Sequence, residues 1–252
     1  MHLQPKTTMS KSTTHHKIIE INGRDTRVRN VMGQIRQHKT DAGRFHKKWS
    51  FDIRACDISG IATAVMAAGL LGDAKNYDIK NITDDNGSTN TRVTFSFNKD
   101  ANIPCLIGQK ADYDRLKTDE ENGIIPGCWY ISGLRDDRTL SSSVAAFSAR
   151  AHKSVEDGSK MHLGSAGSAS RVLFVMIAKA IERGTHAIEQ LTVHNDKVIL
   201  DNGNERDVTF VHAILAPIVS DSDNNDDDEA GDDEEEEEGE EEKVDKKVTF
   251  SA

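Results

Sequence analysis

The chain has 252 residues, 32 Lys/Arg against 42 Asp/Glu, and a formal net charge of −10. That figure averages two opposite objects: residues 1–220 carry 29 basic and 25 acidic side chains, net +4, whereas 221–252 carry 3 and 17, net −14. The split excludes a uniformly acidic protein indifferent to polyanions. The longest apolar run, 60–72, falls short of the roughly twenty residues a membrane helix needs.

Residues 1–16 (MHLQPKTTMSKSTTHH) are polar and aperiodic and read as a flexible arm. They hold no apolar stretch of a secretory signal, so an intracellular protein, in cytoplasm or nucleus, is expected. Lys17–Ile21 reads as a short strand. Residues 23–48 then gather Arg24, Arg27, Arg29, Arg36, Lys39, Arg44, Lys47 and Lys48 with few apolar anchors. Next, Trp49, Phe51 and Ile53 alternate with Ser50, Asp52 and Arg54, the period of a half-buried strand.

Residues 57–72 (DISGIATAVMAAGLLG) predict a helix buried on nearly every side, capped by Asp57 or Ser59 and stopped by Gly72. Thr91–Asn98 predicts a strand with Val93, Phe95 and Phe97 on one face, after a turn at Asp84-Asp85-Asn86-Gly87. Cys128–Ile131 and Val144–Ala149 are further strand candidates. Gly164–Ser170 (GSAGSAS) reads as a loop before a helix over Arg171–Gln190. A meander follows: Leu191–Val193, a turn at Asn195-Asp196, Lys197–Leu200, a turn at 201–204, then Val208–Leu215.

Strands and helices alternate without a strict βαβ rhythm, so the expected class is α+β. The expected division is a 1–16 arm, one α+β nucleic-acid-binding domain over 17–218, and a disordered acidic tail over 219–252 with a strand-like end. No repeat of twenty to fifty residues is visible. Val-Thr-Phe recurs at 93–95, 208–210 and 248–250, which strand propensity accounts for.

The three cysteines, Cys56, Cys105 and Cys128, are odd in number and form no CxxC pair, which points to a reducing compartment. The ten histidines fall in no spaced ligand set. Cys128 has no local activating partner, and the acidic pairs Asp84/Asp85 and Asp136/Asp137 sit in turn contexts. No metal, cofactor or catalytic residue is therefore expected, and the protein reads as a non-enzyme.

The stretch Arg44-Phe45-His46-Lys47-Lys48-Trp49-Ser50-Phe51 combines cations for phosphates with rings on which bases stack. With Arg24, Arg27, Arg29 and Arg36 it forms the expected nucleic-acid surface, Trp49 and Phe45 being the stacking groups and Phe51 a core residue. Arg171, beside the GSAG segment and a helix start, is a further phosphate candidate.

From Asp221 to Glu242 the tail has sixteen carboxylates and no Lys or Arg. It would fold back over the cationic body or recruit a basic protein partner. This layout of cationic body, acidic tail and late aromatic resembles the single-stranded DNA-binding proteins of phages and large DNA viruses, in organisation and not in any motif. The resemblance implies a replication role. The tail departs from it by ending in Lys246-Lys247-Val248-Thr249-Phe250-Ser251-Ala252.

The expectation is a sequence-independent binder of single-stranded nucleic acid, with no membrane association and room for a homo-oligomer. The alternatives are a viral nucleocapsid or coat protein with a basic arm, and an acidic chaperone for histones or other basic proteins.

Overall fold

The computed structural model describes residues 14–22, 27–45, 47–100, 102–132, 140–199 and 203–218. Arg24, most of the predicted arm and the whole acidic tail lie outside them.

Strand β1 (His15–Ile21) buries Ile19 and Ile21, starting inside the stretch read as an arm. Helix α1 (Val28–Arg44) follows, in place of the unassigned basic segment, and buries Val31, Ile35, His38 and Ala42, one face at helical spacing. It returns the chain to β2 (Trp49–Ala55), parallel to β1. Helix α2 (Ile58–Leu71) is capped as expected: Asp57 accepts a hydrogen bond from the Gly60 N–H at 2.6 Å, and Gly72 ends it at φ 55°. Strands β3 (Asn76–Thr83) and β4 (Thr89–Asn98) form an antiparallel hairpin, with β4 antiparallel to β2. The sheet order is β1-β2-β4-β3.

The chain then adds β5 (Ile107–Gly108) and α3 (Lys110–Glu121) before β6 (Trp129–Ile131), α4 (Leu140–Glu156), β7 (Met161–Ala166), a 3-10 turn (Gly167–Ala169), α5 (Ser170–Glu182), β8 (His186–Ile199) and β9 (Glu205–Pro217). The second sheet has the order β5-β8-β9-β7-β6. Strand β6 runs parallel to β7, β7 antiparallel to β9, and β9 antiparallel to β8. Without β5, the series β6-α4-β7-α5-β8-β9 repeats β1-α1-β2-α2-β3-β4 in element type, strand order and strand sense. The chain is a duplicated unit whose copies start at His15 and Trp129, a spacing too long for a search at twenty to fifty residues to register.

The halves are locked by exchanging their second helices. Helix α2 packs on α5 and on β8 and β9 of the second half, while α5 packs on β3 and β4 of the first. This reciprocity explains why α2 is apolar nearly all round, with Gly60, Ile61, Ala64, Val65, Ala67 and Ala68 buried and Leu70 left exposed. Phe95 of β4 meets Phe174 of α5 edge to face, with centroids 5.9 Å apart. At Gly69 a Cβ would stand 2.5 Å from Thr209 Cγ2, so only glycine lets α2 lie this close to β9. One continuous apolar core spans both sheets.

The α+β class holds, while several elements differ from the sequence expectation. Residues 144–149, expected as a strand, lie inside α4, because Ala-rich Val144–Ala149 continues a helical stripe ending on buried Phe147 and Ala151. The GSAGSAS segment is strand β7 and its 3-10 turn rather than a loop. Helix α5 ends at Glu182, before Gly184 at φ 65°. Asn195-Asp196 does not turn, since β8 runs through it, paired with Thr209 and Val208. The Val-Thr-Phe echo also resolves: Val93 and Phe95 point into the core, whereas Phe210 lies on the opposite face of its sheet, stacked on His194.

Candidate nucleic-acid interface

Helix α1 buries one stripe, so its remaining side chains are presented outward. Arg29, Gly33, Arg36, Thr40 and Arg44 recur three to four residues apart and are all exposed. Arg27 sits at the N-cap position and Phe45, Lys47 and Lys48 follow the last turn. Residues 27–48 hold seven Lys/Arg and one carboxylate, Asp41. Arg44 lies 4.0 Å from Asp41 and Lys48 3.6 Å from Asp100. Among the described residues, no carboxylate stands within ion-pair distance of Arg27, Arg29, Arg36 or Lys47.

This arrangement opposes the helix's own needs. Its N-terminus has no side-chain cap and no acidic residue in the first turn, yet Arg27 and Arg29 stand at the positive end of the dipole. Gly33, in the middle of the stripe, costs about 0.5–1 kcal/mol relative to alanine in a helix, and a Cβ there would meet nothing. Local rules broken without a packing return concentrate at functional surfaces.

The two expected stacking groups differ in environment. Phe45 is 70% exposed, with Lys47 Nζ 5.9 Å from its ring centroid. Trp49 is half-buried: its ring stacks on Phe51 at 5.5 Å, and Lys39 Nζ sits 4.4 Å from its centroid. Lys39 Nζ also lies 5.6 Å from the Phe51 centroid, so these two neighbours crowd the Trp49 ring, and Phe45 is the more exposed of the two candidate rings. Phe51 is fully buried and stacks on Phe97, as a core residue should. Of the candidates, Arg27, Arg29, Arg36 and Arg44 lie along α1, and Phe45, Lys47 and Lys48 lie at its exit toward β2. Arg171 stands apart, on α5 of the second half.

The first sheet's outer face offers no comparable patch. Its charges pair among themselves: Arg54 with Glu20 at 3.5 Å, Lys80 and Arg92 with Asp78 at 2.8 and 4.0 Å, and His16 with Asp52 at 3.4 Å.

The corresponding face of the second sheet is covered by α3 and carries a cluster the local spacing did not reveal. Tyr113 of α3 stacks on His194 and lies tilted against His212, with centroids 4.6 and 4.5 Å away. His162 Nε2 is 3.2 Å from His212 Nδ1, Cys128 Sγ is 3.8 Å from that same nitrogen, and the Tyr130 hydroxyl is 3.2 Å from His212 Nε2. Burial pushes His212 down to about 3, helped by His162 and His194 beside it, and lowers His162 and His194 as well. Burial, reinforced by Glu120, pushes the Cys128 thiol up to about 12, the reverse of what a nucleophilic cysteine requires. These residues come from α3, β6 and the segment that enters it, and strands β7, β8 and β9, so no short motif contains them. The available signal was strand alternation, which puts Cys128 and Tyr130, His162 and Gly164, and Phe210 and His212 on one face.

No protein-family model matches the chain, and no curated protein matches it. Among solved structures it is similar to Alba from Thermoplasma volcanium, with 11% identity over 36% of this chain and 99% of that one and a TM-score of 0.27. A likeness of that degree carries no functional argument. Among the described residues, no helix is long and apolar enough to cross a membrane.

Proposed function

We propose that this protein is a non-enzymatic, sequence-independent nucleic-acid-binding protein that holds phosphates along α1 and its exit toward β2. The observation that carries the proposal is the exposed Arg29–Arg36 stripe without carboxylate partners, continued by Arg44, Lys47 and Lys48. Cations on a helix face contact a sugar-phosphate chain through point charges and guanidinium forks, which fix position without reading bases. Gly33 leaves room for a phosphate backbone to approach the helix.

Single strands are the preferred polymer, because Phe45 offers an exposed ring beside Lys47 on which an unpaired base can stack. The acidic tail modulates this binding or recruits partners. Tethered carboxylates reach an effective concentration near millimolar and compete with phosphates at low salt, and the tail also serves as a contact for basic proteins.

The test is fluorescence anisotropy with labelled single- and double-stranded oligonucleotides, from about 50 to 200 mM salt. The expected result is affinity falling linearly on logarithmic axes, tighter for the single strand, and tightened at low salt by removal of 219–252. Salt-independent affinity, or none, contradicts the proposal.

A further inference from the structure

We propose that Cys128, His162 and His212 form a binding site for a divalent ion of the zinc type, held by one sulfur and two imidazole nitrogens. One ligand atom from each residue lies within 4.8 Å of the other two. In a tetrahedral zinc site, bonds of about 2.0–2.1 Å to nitrogen and 2.3 Å to sulfur put neighbouring ligand atoms roughly 3.3–3.6 Å apart. Two of the three separations are 3.2 Å from His162 Nε2 to His212 Nδ1 and 3.8 Å from Cys128 Sγ to His212 Nδ1, and the Cys128–His162 pair lies within 4.8 Å. Sulfur with imidazole selects zinc-like ions over magnesium or calcium.

The surroundings are those of a ligand shell. On His212 the nitrogen turned away from the cluster is hydrogen-bonded to the Tyr130 hydroxyl at 3.2 Å, while the buried His162 Nδ1 has Glu120 Oε2 at 3.5 Å, within ion-pair reach but not hydrogen-bonded. Such partners fix ring orientation in metal sites. The other carboxylate oxygen of Glu120 accepts the Cys128 backbone N–H at 3.1 Å, tying the cysteine to the same support.

Gly164 supplies an independent observation. It pairs with Tyr130 on one side and His212 on the other. A Cβ there would stand 2.7 Å from Cys128 Sγ and 3.1–3.2 Å from the His212 ring. Any side chain would fill the space in which the three ligands meet. With three protein ligands the fourth position goes to water or a small exogenous ligand. The site does not depend on the nucleic-acid reading.

The experiment is a titration of the metal-free full chain with Co2+, followed by displacement with Zn2+. The expected result is a thiolate-to-cobalt charge-transfer absorption that saturates at one ion per chain and is abolished in Cys128→Ser. It is retained in Cys56→Ser and Cys105→Ser, and Glu120→Gln weakens the affinity about tenfold or more. The carboxylates of the tail and the His15-His16 pair cannot give a thiolate band. Circular dichroism of metal-free Cys128→Ser checks that it is folded. Should it not be, alkylation of Cys128 in the wild type replaces it, with Zn2+ expected to slow the reaction at least tenfold. Absence of the band, its survival in Cys128→Ser, or alkylation unaffected by Zn2+ overturns the proposal, leaving a hydrogen-bonded histidine pair.

Discussion

The two halves share one order of elements and use the same surfaces for opposite purposes. In the first, the helix after the opening strand is a cationic face, with seven Lys/Arg against one carboxylate over 27–48. In the second, residues 140–160 hold Arg150, Lys153 and Lys160 against Glu156 and Asp157. The first sheet leaves its outer face open and neutralises it with ion pairs. The second covers that face with α3 and fills it with histidine, tyrosine and cysteine. What stays constant is the inner architecture, in which the second helices α2 and α5 are exchanged between the halves. Duplication fixes the core-facing positions and leaves the outer faces to diverge, so function follows the sites and not the fold.

The largest effect tests whether the halves are one cooperative unit. Phe174 is fully buried at the exchanged-helix contact, and Phe174→Ala should cost about 3–5 kcal/mol by denaturant unfolding in a single transition. Two separate transitions would break the shared-core reading. A second effect isolates the covered face. The folded His212 titrates near 3, well below its ordinary 6.5, so the unfolded chain binds the proton more readily. Its stabilising contribution is complete above about pH 6.5 and falls by roughly 1.4 kcal/mol per unit below it, about 2 kcal/mol by pH 5. His162 and His194 shift in the same direction and steepen the loss. Flat stability from pH 7 to 5 would show that the cluster is open to water. A smaller effect sharpens the open side: Phe45→Ala should weaken single-strand binding by about 1–2 kcal/mol and leave thermal stability unchanged. Trp49→Ala should lower the melting temperature, because that ring packs against Phe51.

Legibility in the sequence followed how local each cause was. Asp57 and Gly72 bracket α2 through contacts within a few residues, and the alternation of Trp49, Phe51 and Ile53 is a property of the strand alone, so both were readable. Helix α1 was not, because its apolar stripe of Val31, Ile35 and Ala42 is thin and includes the buried histidine His38. The ring of His38 hydrogen-bonds the Ser50 carbonyl at 3.0 Å, a partner only the fold supplies. The basic residues were legible as a group; their sharing of one helix face was not. The histidine cluster stayed hidden for a physical reason: Cys128, just before β6, meets His162 of β7 and His212 of β9 at separations that no local pattern encodes.

The division of labour between the halves is tested most directly by the salt dependence of oligonucleotide binding in matched variants. Arg29→Ala with Arg36→Ala removes two cations from α1, and Arg150→Ala with Lys153→Ala removes two from α4. The first pair should reduce the slope of log affinity against log salt by about 1.4, since each phosphate contact on a single strand contributes roughly 0.7, while the second leaves it unchanged. Equal reductions in both variants, or none in either, would contradict the assignment of binding to the first half.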